Sequence, residues 1–394
     1  MTTHAVVAES PSSAPTLTEQ WLARYDDVVA PVLPSYFDVI ADRAEGSWVW
    51  DVEGRRYLDL GSGIAVTNTG HCHPRVVEAI CRQAATLNTH TRYLHETILD
   101  YIEQLTATFD ASLSTTIMTC TGSEANDIAL RIAEAATGRT GIIVTDHTYH
   151  GNTSVVAQLS RTNQPRDGDR SRVRFAPAPD SYRPLGGEGG AAHAAQFAAA
   201  VAREIASLEA AGHGFAGLLI CPFFANEGFP DLAAGWLAPT LKTVRAAGGI
   251  VIADEVQPGF GRLGSDMWGH QRAGFVPDVV TLGKPMANGH PVGGVVTTPE
   301  LMKAFRTSFR YFNTFGGNPV SAAAALATLQ VLQEEGLMQN AADVGAYAKA
   351  GLQQLARRHS VIGDVRGAGL FFGAEMVLDR VSKLPARNYV KAVA

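Results

Sequence analysis

Cysteine is scarce in this chain of 394 residues: Cys72, Cys81, Cys120 and Cys221 are the whole set, and none forms a CxxC pair. Scattered among apolar neighbours, they predict buried thiols in a reducing compartment and argue against a disulfide framework. Long hydrophobic runs are missing as well. A stretch such as "AGLLICPFF" has the length of a strand and falls short of a membrane span. No cluster of Lys or Arg marks a nucleic-acid surface, and the net charge is only −6. The opening residues, "MTTHAVVAESPSSAPTLTEQ", lack the basic start and apolar core of a leader and read as a disordered or draped arm. These absences leave a cytoplasmic α/β protein, and its length predicts more than one domain.

What is present is an alternation. "TTIMTC" (115–120) reads as a strand, and "SEANDIALRIAEAATG" comes next with Ala125, Ile128, Ala129, Ile132 and Ala133 at helical spacing. "TGIIVTD", "AGLLICPF", "IVIADEV", "DVVTLG" and "VGGVVTT" read as further strands, with the helix-like "GWLAPTLKTVRAAGG" among them. Strands separated by helices predict a mainly parallel sheet covered by helices on both faces. Ligands of such sheets bind beyond the carboxyl ends of the strands. Upstream, "GSWVWDVEGRRYLDL" alternates around a glycine turn and reads as a hairpin. Downstream come a long helical region and then "VIGDVRGAGLFFGAEMVL", read as strands. The flanks predict a smaller α+β domain built from both chain ends: an N-terminal arm and part of the small domain in residues 1–68, a large domain in 69–325, and the rest of the small domain in 326–394. "RPLGGEGGAAHAA" (183–195) is a flexible loop by composition.

Three strand ends carry unusual residues. "TGSEAN" (121–126) leads from a strand into a helix, where glycine, outward amides and a hydroxyl suit an anion such as phosphate. The same residues also serve ordinary turn geometry. "IVIADEVQPGFGR" places Asp254 and Glu255 at the end of a strand buried on both faces, where a carboxylate is costly without a partner. Asp254 is either the structural ion-pair partner of an arginine such as Arg262 or a carboxylate held beneath a protonated heteroaromatic nitrogen. Lys284, between Gly283 and Pro285 after "DVVTL", is either a solvated strand end or a desolvated amine suited to Schiff-base chemistry and proton transfer. Phosphate cradle, acidic partner and strand-end lysine together match what pyridoxal 5'-phosphate needs.

From about Tyr36 to its last residue the chain resembles a class III aminotransferase of the fold-type I pyridoxal-phosphate enzymes, on the motifs "TGSEAND", "DHTYHG", "ADEVQPGFGR", "GKPMANGHP" and "FNTFGGNP". "LNTHTRYLHETILDY" and "GKPMANGHPV" are most similar to the branch of alanine–glyoxylate aminotransferases and amino-alcohol phosphate phospho-lyases. The resemblance implies that Lys284 forms the Schiff base with pyridoxal phosphate and shuttles the proton. It implies that Asp254 bonds the pyridine nitrogen, that Val256 packs on one ring face with Gln257 near the ring hydroxyl, and that Tyr149 stacks on the opposite face. Gly122 and Ser123 would hold the phosphate, and Thr314 would reach the cofactor of the neighbouring subunit in a homodimer. Aminotransfer from an amino acid or amine to a keto acid or aldehyde is the implied reaction. The alternative is phosphate elimination from an amino-alcohol phosphate.

Other signals point elsewhere or depart from the family. "GHCHP" (70–74) invites a metal reading, but a glycine turn before a Pro-started helix explains it better, and no metal is expected. "LGSGIAV" lacks the third glycine of a dinucleotide fingerprint, which counts against a nicotinamide-dependent dehydrogenase. His150 is expected to sit behind the site, and Arg92 and Tyr93 either line the substrate entrance or start a helix. Cys221 stands where many family members carry a glutamate. The chain ends at "ARNYVKAVA", before the further strands and substrate-binding arginine common in the family, so the small domain is expected to be incomplete. A catalytically dead scaffold is the reading that this ending would favour.

Overall fold

A computed structural model of the chain describes residues 14–28, 39–161 and 170–388. The chain forms two compact units, one of residues up to Gly63 plus Gly70–His73, the other of Ile64–Thr69 and everything from Pro74 onward.

The first unit holds helix α1 (Leu17–Val28) and an antiparallel sheet of β1 (Ala41–Glu45), β2 (Trp48–Asp51) and β3 (Arg56–Leu58). The expected hairpin is β2–β3, and Asp51 ties its turn by accepting from the amides of Glu53 (3.0 Å) and Arg55 (2.9 Å). Of the expected N-terminal arm, residues 1–13 lie outside the described residues, and the stretch behind them carries α1. The segment resembling a dinucleotide loop is a one-turn element, α2 (Ser62–Ala65), in which all four residues have φ between 48° and 63°. A left-handed turn that includes a β-branched isoleucine is far from the strand–turn–helix geometry of a nucleotide fingerprint.

The second unit begins with α3 (Pro74–Thr86) and α4 (Glu96–Thr106), then β4 (Thr115–Thr119), α5 (Gly122–Thr137), β5 (Gly141–Thr145) and β6 (Val173–Ala176). Next come α6 (Gly190–Ala210), β7 (Phe215–Ile220), α7 (Ala238–Ala246), β8 (Ile250–Asp254), α8 (Gly269–Ala273), β9 (Val279–Leu282) and β10 (Gly293–Thr297). The last elements are α9 (Pro299–Ser308), α10 (Pro319–Glu334), α11 (Leu337–Arg358) and the hairpin β11 (Ile362–Ala368)–β12 (Phe371–Met376). Seven strands form one sheet in the order β4-β10-β9-β8-β7-β5-β6, and only β10 runs against its neighbours. The sheet is therefore mainly parallel, as expected, with an apolar layer on each face. Ile128, Ile132 and Phe305 of α5 and α9 pack in one layer; Phe197, Val201, Leu241 and Val244 of α6 and α7 pack in the other.

Local chemistry explains the element that matters most to the site. Thr121 caps α5 by accepting from the Glu124 amide (3.1 Å), while the Glu124 carboxylate accepts from the Cys120 amide (2.7 Å). Gly138, at φ 67°, ends the helix by donating to Glu134 O (2.8 Å). Ala125, Ile128, Ala129, Ile132 and Ala133 are all buried, in agreement with their 3.6-residue period.

Two expectations require correction. Residues 183–195 are not one flexible loop, because α6 starts at Gly190 and buries His193, Ala194 and Phe197. The alanines that look like low-complexity filler are strong helix formers, and the helix is stabilised by its packed face. The cysteines are not uniformly buried: Cys221 is, but Cys72 and Cys81 are exposed. Cys72 lies in a turn at φ 52°, and Cys81 lies on the solvent face of α3. Among the described residues no helix is long and apolar enough to cross a membrane.

Two glycines of α11 separate helix propensity from packing. A Cβ at Gly345 would lie 2.0 Å from Gly369 O, whereas a Cβ at Gly351 meets nothing within 4 Å. Gly351→Ala should raise stability by about 1 kcal/mol. Gly345→Ala should instead lower it by about 1–3 kcal/mol, because the clash is with backbone. Denaturant unfolding of the two variants reads the opposite signs directly.

Candidate active site

The carboxyl ends of β4, β5, β7, β8 and β9 share one edge of the sheet, and the segments beyond them surround a cavity of about 220 Å³. Its lining includes Gly122, Ser123, Tyr149, Cys221, Asp254, Val256, Gln257 and Lys284. Seven sequence-predicted residues are thus brought together from four strand ends. Thr314 is not among them. It is exposed, in the bend between α9 and α10.

Glycines let these segments approach closely. A Cβ at Gly122 would lie 2.9 Å from Val256 Cγ2, and one at Gly283 would lie 3.1 Å from the Cα and N of Gly122. At Gly151 (φ 136°) a Cβ would be 2.5 Å from Ser123 Oγ. Side chains at these positions would force the segments apart and spoil the cradle.

Asp254, at the end of β8, is 5% exposed and makes three hydrogen bonds. Oδ1 accepts from the Val256 amide at 3.0 Å; Oδ2 accepts from Asn126 Nδ2 at 2.9 Å and pairs with His150 Nδ1 at 2.6 Å. Asn126 is itself held, since its Nδ2 donates to His150 O (2.7 Å) and its Oδ1 accepts from Thr281 Oγ1 (2.7 Å). His150 Nε2 meets Thr148 Oγ1 at 2.9 Å. This is the supporting position expected of His150, although the residue also lines the cavity. With Nδ1 donating to the carboxylate, Nε2 accepts from the threonine hydroxyl.

Arg262 does not pair with Asp254. Its guanidinium bonds the Asn68 side-chain oxygen, and burial lowers its pKa to about 10. Its Nε is buried and makes no hydrogen bond, and it forms no ion pair among the described residues. Glu255 faces the other way: it is fully buried and accepts from the amides of Gly269 (2.9 Å) and His270 (2.7 Å) and pairs with His270 Nδ1 (2.8 Å), anchoring α8. The last residue of β8 and the one just beyond it therefore serve opposite sides, in keeping with the alternation of an extended chain.

Lys284 opens a 3₁₀ turn (Lys284–Ala287) after β9. Among the described residues its amine makes no hydrogen bond or ion pair. Burial lowers its pKa; the charges of Asp254 and Cys221 oppose that shift, and Arg262 reinforces it. The amine is therefore desolvated and uncommitted, and the solvated-strand-end reading does not describe it.

Also lining the cavity, Gly122 and Ser123 begin α5, ahead of its first intrahelical bond from Ala125 N to Thr121 O (3.1 Å). Ser123 Oγ accepts from Asn152 N at 3.2 Å, so its own O–H is free to donate outward. An amine, a buried carboxylate and a helix N-terminus around one cavity fit an aldehyde-bearing pyridine with a phosphate arm. Pyridoxal phosphate suits this donor set.

Sequence reasoning missed Asn126, Thr148 and Asn226. Asn126 carried a signal, because it shares a buried stripe of α5 with Ala129 and Ala133, and a polar residue on such a stripe requires a partner. Asn226 lines the cavity and bonds Gln257 Nε2 and Tyr149 O, both at 3.4 Å. Arg92 and Tyr93 sit in the turn ahead of α4 and do not line the cavity.

Comparison with known proteins agrees with this geometry. Residues 31–393 match the family model for aminotransferase class-III. The "alanine–glyoxylate aminotransferase 2-like" protein of Drosophila melanogaster is 42% identical over 360 residues, covering 88% of this chain and 71% of the relative. "Alanine–glyoxylate aminotransferase 2 homolog 2, mitochondrial" of Arabidopsis thaliana is 42% identical over 343 residues, covering 86% and 70%. A solved phospholyase from Arthrobacter in complex with phosphoethanolamine superposes with a TM-score of 0.87 at 42% identity, covering 93% of this chain and 86% of that one. The chain belongs to the class-III aminotransferases, pyridoxal-phosphate-dependent enzymes of the fold-type I architecture.

Proposed function

We propose that this enzyme moves an amino group from an amino acid or amine donor to a keto acid or aldehyde, with Lys284 and Asp254 as its catalytic residues. The observation that carries this reading is the uncommitted, desolvated Lys284 amine sharing one cavity with the buried Asp254 carboxylate. Pyridoxal phosphate, when bound, supplies an aldehyde for an amine and a ring that takes up the electron pair released at the substrate α-carbon. Lys284 would hold the cofactor through its amine, and the same desolvated amine would serve to carry a proton at the substrate α-carbon. Asp254 would face the ring nitrogen, with its carboxylate held in place by its hydrogen bonds to Val256, Asn126 and His150. Gly122 and Ser123 would hold the phosphate, Val256 and Tyr149 would confine the ring, and Gln257 would serve the ring hydroxyl.

We also read the protein as a homodimer in which Thr314 reaches the partner's cofactor. Phe312 and Phe315 flank Thr314 and are 49% and 70% exposed. His90 links Phe312 to Tyr93 through ring contacts of 6.1 Å and 5.1 Å, and Tyr93 and Leu94 are themselves exposed. An apolar group of this kind supports an interface with a second copy. A cytoplasmic location is the reading that four free thiols support.

A second reading has a specific observation behind it. The Arthrobacter phospholyase is as similar as the aminotransferase relatives, which supports elimination of phosphate from a substrate such as phosphoethanolamine. Arg262, half-buried, without a carboxylate partner among the described residues and close enough to depress the Lys284 pKa, is a cation that a substrate carboxylate or phosphate can meet in either case. Incubating the purified enzyme with phosphoethanolamine and no keto acid separates the readings. Release of inorganic phosphate marks the lyase; a lasting change of the cofactor's absorbance on adding an amine, reversed by a keto acid, marks the aminotransferase.

Asp254→Asn should lower turnover by about 10²–10³-fold while cofactor binding falls far less, since the ring nitrogen loses its fixed countercharge. Stopped-flow kinetics beside equilibrium cofactor titration measures the two effects, and near-normal turnover would contradict the assignment. Because burial favours the neutral amine, cofactor capture by the cofactor-free protein should accelerate with rising pH through a midpoint below 10.5, the value of an unperturbed lysine. Hydride trapping and peptide mass spectrometry should locate the adduct on Lys284.

A further inference from the structure

Beside the helical layer of α6 and α7 lies a cleft of about 460 Å³ that shares no lining residue with the active-site cavity. Ser181, the start of α6 and residues 231–236 form its walls. Two aromatic nitrogens are buried here. His193 is 1% exposed and Trp236 7%, and neither the imidazole Nε2 nor the indole Nε1 makes a hydrogen bond among the described residues. The two rings meet edge to face at 4.9 Å, and Trp236 also packs on Phe197 at 5.1 Å, so both are held in place. Side chains on a helix lean toward its N-terminus, which turns His193 back toward the start of α6.

A buried polar atom without a partner is a standing penalty, and two of them in the wall of one cleft mark a place where a ligand can complete the bonding. The neighbouring bonds define its chemistry. An indole N–H only donates. Ser181 Oγ accepts from the Asp231 amide at 2.9 Å, so its own O–H remains to donate. No side chain caps α6 at Gly189, and a Cβ at Gly189 or Gly190 would meet nothing within 4 Å. The first amides of α6 therefore add donors, together with the positive end of a 21-residue helix. Burial holds the His193 pKa below its ordinary value, against the influence of Asp180, so the imidazole enters as a neutral group with one N–H to give.

Charge in the wall narrows the choice further. Among the described residues no Lys or Arg lines the cleft, and Asp231 stands exposed at its rim. Neutral donors and a helix end can hold one negative charge, whereas a doubly charged phosphate beside Asp231 would be repelled more than it is held. Leu232, Ala194 and Pro239 make the rest of the wall apolar.

We propose that this cleft binds a small organic monocarboxylate. Its charged end would accept from Trp236 Nε1, His193 Nε2 and the start of α6, and its hydrocarbon part would lie against Leu232, Ala194 and Pro239. Binding here is independent of the reaction proposed at Lys284.

Titration of the cofactor-loaded enzyme with sodium butyrate tests the site. The readout is the indole N–H resonance of Trp236, assigned by its loss in Trp236→Phe, so that butyrate entering the active site does not contribute. The resonance should shift saturably, with a dissociation constant of about 1 mM. Butylamine and inorganic phosphate at the same concentrations should leave it in place. His193→Leu removes one donor and should weaken butyrate up to about tenfold. Asp231→Asn removes the repulsion at the rim and should tighten butyrate about threefold. That gain cannot come from misfolding, and it serves as the test if His193→Leu fails to fold. A Trp236 resonance indifferent to butyrate at about 50 mM, well above the expected constant, would overturn the proposal. So would unchanged affinity in the folded variants, or a response to butylamine or phosphate equal to that with butyrate.

Discussion

Asp254 is a charge sealed almost completely from water, and its three hydrogen bonds are what make that burial tolerable. Those bonds impose conditions on distant parts of the chain. Asn126 must stand at the right turn of α5, so the cap at Thr121 has to start that helix at the right residue. Thr281, on β9, must reach the Asn126 oxygen, which fixes the register of β8 against β9; Asp254 and Thr281 are in fact cross-strand partners. His150 must arrive from the segment after β5. One carboxylate therefore coordinates the ends of three strands and the start of one helix.

The glycine contacts supply the complementary condition. A cavity that is to hold a flat molecule needs its walls close together, and Gly122, Gly151 and Gly283 are places where backbone meets its neighbours without a side chain between. Close approach also removes water from around Lys284, which is the cause of its lowered pKa. Steric permissiveness at the glycines and chemical readiness at the lysine are two results of one arrangement.

Much of this was legible in the sequence, for identifiable reasons. The strands of the large sheet are apolar runs buried on both faces, and they declared themselves without side-chain detail. Lys284, Asp254 and the α5 start could be named because each terminates such a run at the edge where α/β sheets bind ligands. The partners of Asp254 were harder, since Asn126 and the Thr281 hydroxyl that holds it matter through contacts between segments far apart in the chain, and spacing within a segment carries no record of them. The alanine-rich start of α6 looks like a loop because composition reports flexibility only where nothing packs on the segment. Glu255 shows the same limit: beside Asp254 in the sequence it looks like half of a pair, but strand alternation sends it to the N-terminus of α8.

The single reversed strand has a consequence for the lysine. β10 lies beside β9 and runs back along it, with Gly294 opposite Leu282, so Lys284 occupies a short return between two hydrogen-bonded neighbours. A crossover helix would have left it on one anchored side and one looser one. Here both flanks belong to the interior of the sheet, which places the Lys284 amine among the most cooperatively held parts of the molecule. Small local openings cannot carry it away from its cavity, and the cofactor link proposed for it should be lost only when the sheet itself comes apart.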